Sequence, residues 1–341
     1  MFALACRRAL PALALAAGLA ACSGGAGSAG SPLPSAAAQA NIPRQIPAVG
    51  IRSLGLDARI VPATKSNLIF AAAETQEDVD GWPNPNKSNS VPTCAIGAPY
   101  EDLEVEYGFG VDPYGYLVVP TYNDGAPFVS VWKPNCGARV WQANLPSNSG
   151  PADAYSNNAA TGLVAVALLS PAGVVLCSQS SGCGTESTYA GLSEAISVAM
   201  ADDGDCWLDA NTHTSEFVLV YFHKCTGSGQ LATGTMNQLT GGLFIDTHGN
   251  LGSIDTDGVL YVYSGCKPAC SLVSQSTLIG DPELGGLDAK GENLVVGDIN
   301  DWPKIDVYSY SPTSGATYSY SFNNEVGYSW AAHFSPRNKK T

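Results

Sequence analysis

Apolar and polar positions alternate along this chain in short runs, and glycine-centred turns separate the runs. The stretch GLFIDTHGNLGSIDTDGVLYVYSGC shows the pattern: a strand, an Asp-x-x-Gly turn, a second strand, an acidic turn, then a strand ending in Tyr263. The same order recurs in GFGVDPYGYLVVPTYNDGAPFVSVWKPNCG, ISVAMADDGDCWLDANTHTSEFVLVYFHKCTGSG and GLDAKGENLVVGDINDWPKIDVYSYSPTSG. A degenerate copy is ADAYSNNAATGLVAVALLSPAGVVLC. The turn glycines are Gly115, Gly204, Gly249 and Gly291, with gaps of 89, 45 and 42 residues. The period is therefore about 44, with one copy between the first two. Val, Leu, Tyr and Trp dominate the runs, as half-buried sheet surfaces prefer. A weaker fourth strand follows each third one, as at Ala138–Trp141 and Ala316–Tyr320. No long amphipathic helix stands out.

Four antiparallel strands repeated every 40–50 residues or so predict an all-β chain built as a β-propeller. Second strands centred near residues 70, 118, 165, 208, 253 and 296 predict six blades. The ends complement each other. Leu68–Glu74 reads as a second strand without a first, and Ser329–Ser335 as a first strand without a second. The C-terminal strand is thus expected inside the N-terminal blade, closing the ring and leaving no open sheet edge. Two β-sandwiches, the rival architecture, predict no such complementarity.

Ahead of the repeats the pattern changes. Arg7 and Arg8 precede an apolar run from Ala9 to Ala21. As a helix that run is about 20 Å long, shorter than the hydrocarbon core of about 30 Å, and it reads as a secretory signal peptide. Leu19-Ala20-Ala21-Cys22 resembles the lipobox of bacterial lipoproteins. That resemblance implies cleavage before Cys22, a lipid on its sulfur and membrane attachment through that lipid. It places the chain at the cell envelope, at the outer membrane or cell surface; a plain signal peptide cut near Ala21 is the alternative. The organisation is then a leader over 1–21, a Gly/Ala/Ser/Pro tether over 22–48 and a propeller over 49–341.

Composition narrows the partners. The net charge of −14 makes nucleic acid a poor partner. An envelope protein or a glycan fits better, and the chain is expected to be a monomer. Eight cysteines follow the lipobox: Cys94, Cys136, Cys177, Cys183, Cys206, Cys225, Cys266 and Cys270. An even number in an exported chain predicts disulfides. Cys177 with Cys183, Cys266 with Cys270, and Cys206 with Cys225 would each staple a hairpin, leaving Cys94 and Cys136. Zinc at Cys266 and Cys270 is the rival reading, without a second close pair to complete it.

At Asp246-Thr-His-Gly249, Asp255-Thr-Asp257 and Val262-Tyr263, and at Gly291, Asp298-Ile-Asn300 and Val307-Tyr308, the repeat resembles NHL-repeat six-bladed propellers and, more distantly, gluconolactonase-like ones. The latter resemblance implies a metal in the central channel held by acidic and Asn side chains. Glu74, Asp209, Asp255 and Asp298 occupy matching positions along the repeat. Either they cap the turns that follow, or they hold Ca²⁺ or another divalent cation for a hydrolase or lactonase. No cofactor is expected under the first reading. Breaks in the repeat offer a second set. Asp80 and Trp82 in an enlarged loop, with Asp301 and Trp302 in the neighbouring blade, would stack on a ligand and hydrogen-bond it. Asn123, Asp124, Asn211 and His213 sit in the equivalent loops. Trp-Pro packing that stiffens long loops is the other reading. No HExxH, Gly-x-Ser-x-Gly or phosphate-binding glycine loop occurs. The expected role is a binding or scaffold module for a protein, glycan or small ligand, with the metal-dependent enzyme as alternative.

Overall fold

The computed structural model describes residues 68–73, 79–84, 92–96, 105, 107–123, 126–235, 239–255, 257–298, 304–323 and 329–337. The leader, Cys22 and the tether lie outside them.

Strands follow one another almost without interruption. The described residues open with β1 (Leu68–Ala73), β2 (Val79–Pro83) and β3 (Cys94–Ile96). Next come β4 (Gly110–Val111), β5 (Leu117–Asn123), β6 (Ala126–Trp132) and β7 (Arg139–Asn144). A third group is β8 (Gly150–Ser156), β9 (Leu163–Ser170), β10 (Gly173–Ser178) and β11 (Gly182–Cys183). The fourth is β12 (Leu192–Met200), β13 (Cys206–Thr212), β14 (Phe217–Phe222) and β15 (Gln230–Leu231). Then follow β16 (Leu239–Ile245), β17 (Leu251–Asp255), β18 (Val259–Ser264) and β19 (Ser271–Thr277). The last are β20 (Pro282–Leu287), β21 (Asn293–Asp298), β22 (Lys304–Ser311), β23 (Gly315–Asn323) and β24 (Ser329–Ser335).

Each of the four middle groups forms a four-stranded antiparallel sheet in chain order. The ends share a sheet of eight strands, ordered β23-β22-β21-β20-β24-β1-β2-β3. There β24 pairs antiparallel with β1, Phe70 opposite His333, and parallel with β20, Gly285 opposite Ala332. The C-terminal strand is therefore the first strand of the sheet that β1 to β3 continue. The arrangement is all-β and consistent with a propeller. First strands of consecutive groups also lie against one another: β4 on β8, β8 on β12, β12 on β16, β16 on β20, β20 on β24, and β24 on β4.

Why some strands are apolar on both faces follows from this stacking. In β9, Ala165, Ala167 and Leu169 pack with Leu192, Val198 and Leu208. Val164, Val166 and Leu168, on the opposite face, pack with Val118, Val129 and Val131. A sheet covered on both sides needs no polar face, so the alternation of an exposed strand disappears. Each such Val or Leu contributes about 1.5–3 kcal/mol by leaving water.

Polar groups tie the first strands together where the core is deepest. Ser197 Oγ on β12 donates to Asp153 Oδ2 on β8 at 2.9 Å and accepts the Leu243 N–H of β16 at 3.0 Å. Val198 N–H also donates to Asp153 Oδ2, at 3.2 Å. Burial outweighs these bonds and pushes the Asp153 carboxyl up to about 7. Beyond the end of β24, Arg337 crosses to the end of β8. Its Nη1 donates to the Tyr155 hydroxyl at 2.6 Å, and Nη2 donates to Ser156 O at 2.5 Å and Asn157 Oδ1 at 2.7 Å. The guanidinium lies 4.0 Å from the Tyr155 ring centroid.

Four disulfides join Cys94 to Cys136, Cys177 to Cys183, Cys206 to Cys225 and Cys266 to Cys270. Three of them stay within one sheet or its turns. Cys94–Cys136 instead links β3 to the turn after β6, in the next sheet.

Candidate functional site

The repeat's first turn has one construction in three places. Asp112, Asp246 and Asp288 each stand three residues before a glycine that takes positive φ: Gly115 at 87°, Gly249 at 79° and Gly291 at 70°. Such φ values favour a residue without Cβ. Each Asp Oδ1 accepts two backbone N–H groups of its own turn: Tyr114 and Tyr116, His248 and Asn250, Glu292 and Asn293. Two of the carboxylates also reach the following sheet. Asp112 Oδ2 accepts the Ala159 N–H at 2.8 Å, and Asp246 Oδ2 accepts the Tyr310 hydroxyl at 3.2 Å.

The fourth group keeps the turn but not its acid. Gly204 has φ 86°, and its N–H reaches the carbonyl three residues back, but that residue is Ala201. Where Asp112 and Asp246 send a carboxylate across to the next sheet, this turn leaves space. A cleft of about 300 Å³ opens there, lined by Ala201, Asp202, Asp203, Trp207, Tyr263 and Lys267, with Ile245 and Leu251 among its apolar walls.

The cleft is bounded by charges from both sheets. Lys267, in the turn after β18, reaches back to Asp203 Oδ2 at 2.5 Å and Asp205 Oδ2 at 2.8 Å. Its ammonium is 5.9 Å from the Trp207 ring centroid, within cation–π range. The Trp207 indole N–H donates to Cys266 O at 2.5 Å, fixing the ring. Asp205 also accepts the Tyr221 hydroxyl at 2.8 Å and the Lys224 N–H at 2.9 Å, and lies 3.0 Å from His223 Nδ1. Desolvation works against the Asp205 charge, but Lys267 and these donors outweigh it and hold the carboxyl well below the usual range. Desolvation likewise opposes the Lys267 charge, and the two carboxylates more than offset it, raising the ammonium above its ordinary value.

The residues anticipated from sequence fall elsewhere. Asp80 and Trp82 are not in a loop. They lie on β2, both buried, with Trp82 packed 6.0 Å from Phe322 in an apolar cluster. Trp82 therefore has no face for a ligand. Asn211 is half-buried on β13, and its Nδ2 donates to Glu194 Oε2 at 3.4 Å. His213 is exposed in the turn that follows, its N–H bonded to Gly191 O at 3.0 Å. β5 ends at Asn123, while Asp124, Asp301, Trp302 and Glu74 lie outside the described residues.

The acids of the second strands do three different things. Asp255 Oδ1 accepts the N–H groups of Asp257 at 3.0 Å and Val259 at 2.7 Å, which makes it a turn cap. Asp298 Oδ1 accepts the Asp281 N–H at 3.3 Å, from the loop ahead of β20. Asp209 is fully buried, its two oxygens lack a well-formed hydrogen bond among the described residues, and desolvation pushes its carboxyl far up. Among the described residues no three His, Cys, Asp or Glu side chains form a group that could hold a metal. The cleft itself was missed, although its signal is in the sequence: Ala201-Asp202-Asp203-Gly204 carries its acids one and two places late.

No family model and no curated protein matches the chain. Solved structures do. The chain is similar to one in a nidogen–laminin complex, at 9% identity over 80% of this chain and 100% of that one, with a TM-score of 0.59. A protein of unknown function from Bacteroides caccae matches at 11% identity over 80% and 100%, TM-score 0.56. U3-55K matches at 9% over 79% and 81%, TM-score 0.53. The fold is β-propeller-like. At such identities the likeness extends to the fold alone.

Proposed function

We propose that the chain is a binding module: an exported six-bladed propeller of the NHL-like kind, held at the envelope by lipid on Cys22 and acting as a monomer. Support for six blades comes from the six second strands and from the cyclic succession of first strands, β24 back to β4. The four disulfides favour an oxidising compartment, in keeping with the leader and lipobox. Cys22→Ser would abolish incorporation of an alkyne-tagged fatty acid if the lipid reading is right.

The observation that carries the binding role is the cleft between the fourth and fifth sheets. At the position from which Asp112 and Asp246 reach the next sheet, Ala201 leaves a space furnished with an indole, a phenol and fixed charges. Recognition sites combine such apolar walls with a few oriented polar groups. Ala201→Phe fills the space from an existing turn position. In cells expressing either form, quantitative cross-linking should recover a protein or glycan partner with the parent and lose it with Ala201→Phe at unchanged melting temperature. Equal recovery with both would overturn the assignment. The rival reading, a metal-dependent hydrolase or lactonase, keeps one favouring observation, the orphaned oxygens of Asp209. The described residues do not complete a ligand set around them. Elemental analysis, with melts in EDTA and in Ca²⁺, tests it directly.

A further inference from the structure

The cleft already contains a ligand of its own. Lys267 inserts an ammonium between Asp203 and Asp205, against the face of Trp207. Two carboxylates and an aromatic face are what an alkylammonium ion requires. The cage is half open, with the Lys267 and Asp203 side chains 40% and 49% exposed and Asp205 only 5%. Lys267 can therefore leave by rotating its own side chain, with no strand displaced. Asp205 would keep the Tyr221 hydroxyl and the Lys224 N–H when it does. Ile245, Leu251 and Tyr263 add apolar walls to the same cleft. Cys266 and Cys270 close the short loop that carries Lys267, so the lysine stays at the cleft mouth whether bound or released.

From this we infer that the cleft is a receptor for the lysine side chain of a protein partner, and that Lys267 occupies it in the free protein as an intramolecular competitor. The inference rests on the cleft being the binding site. A tethered competitor acts at an effective concentration in the millimolar range, so the free protein should bind lysine weakly and deletion of the competitor should expose the affinity.

The test uses the mature, disulfide-intact protein and Nα-acetyl-lysine methylamide as probe, with the norleucine analogue as uncharged control. The readout is the ¹⁵N–¹H resonance of the Trp207 indole. Lys267→Ala should bind the probe at least tenfold more tightly than the parent, and adding Asp203→Asn should abolish the gain. Lys267→Met keeps the stem and should behave like Lys267→Ala, which guards against a folding defect in the smaller variant. Equal affinity in the parent and both Lys267 variants, equal binding of norleucine, or indifference to Asp203→Asn would overturn the inference. The two levels separate cleanly. If no variant binds the probe but Ala201→Phe still loses the partner, the cleft stands and the lysine assignment falls. If the probe binds as expected but Ala201→Phe keeps the partner, the binding role falls.

Discussion

Arg337 makes a prediction whose size follows from its contacts. Only 6% exposed, it donates three hydrogen bonds to Tyr155, Ser156 and Asn157 and stacks on the Tyr155 ring. Arg337→Ala removes these bonds and leaves the Ser156 carbonyl and Asn157 oxygen short of a donor. A buried acceptor left without its donor costs about 1–3 kcal/mol, so the two together cost about 2–6 kcal/mol. Side-chain ordering returns up to about 2 kcal/mol when the arginine goes. A net loss of about 3 kcal/mol, at about 2–4 °C per kcal/mol for a domain of this size, predicts a melting temperature lower by roughly 10 °C. Differential scanning calorimetry on the mature protein measures it. Arg337→Lys keeps a charge but not the planar fork and should recover less than half the loss. A double-mutant cycle with Tyr155→Phe should show coupling of about 1 kcal/mol or more. A melt of Arg337→Ala within about 2 °C of the parent would refute the claim that this contact holds β24 to β8.

Other consequences are sharper in sign than in size. Asp153, with a native value of about 7 against 3.8 unfolded, favours the fold fully below pH 3.8, and that contribution disappears as pH rises through 7. Buried His333, lowered by burial and by Arg337 to about 3, works oppositely: its contribution is full above 6.5 and is lost as pH falls toward 3. Opposite slopes cancel between about pH 4 and 6.5, so melting temperature should be level there and fall above it, and Asp153→Asn should remove that alkaline fall; a melt rising steadily to pH 8 contradicts this. Asp246→Ala removes the oxygen that accepts two turn N–H groups and the one that accepts the Tyr310 hydroxyl and should cost about 2–3 kcal/mol in urea unfolding; less than about 0.5 kcal/mol would mean the turn holds without its cap. Replacing Cys94 and Cys136 with Ser opens a link across 42 residues and should cost about 4 kcal/mol, against about 2 for the four-residue separation of Cys266 and Cys270. The reverse order would show that loop length does not govern these bonds.

Much of the strand order was readable because glycine and apolar runs obey local rules. Gly115, Gly204, Gly249 and Gly291 mark tight turns, and each takes the positive φ that such a turn needs. The partnership of Leu68–Ala73 with Ser329–Ser335 was readable because each end lacked what the other supplied. Val79-Asp80-Gly81-Trp82-Pro83 misled for a nonlocal reason. Its acid, glycine and proline look like a loop, yet Gly81 lies within a strand because a Cβ there would come 2.8 Å from the Phe70 ring and 3.0 Å from Cys94 Sγ. Close packing, not a turn, requires the glycine. The cleft was hidden for a similar reason. Ala201 is unremarkable until its turn is superposed on those of Asp112, Asp246 and Asp288, and Lys267 belongs to the next repeat.

One pairing also governs the history of the chain. Because β24 is the neighbour that β1 requires, a sheet begun at Leu68 is finished only when Ser329–Ser335 has been made. As the chain emerges from its N-terminus, β1 waits with an open backbone edge until some 260 further residues have appeared. Contacts so distant in sequence form slowly. A message truncated before Ser329 would yield a product in which most sheets can assemble but β1 remains a template for other chains. A nonsense change ahead of Ser329 should therefore give aggregation rather than a shortened working molecule.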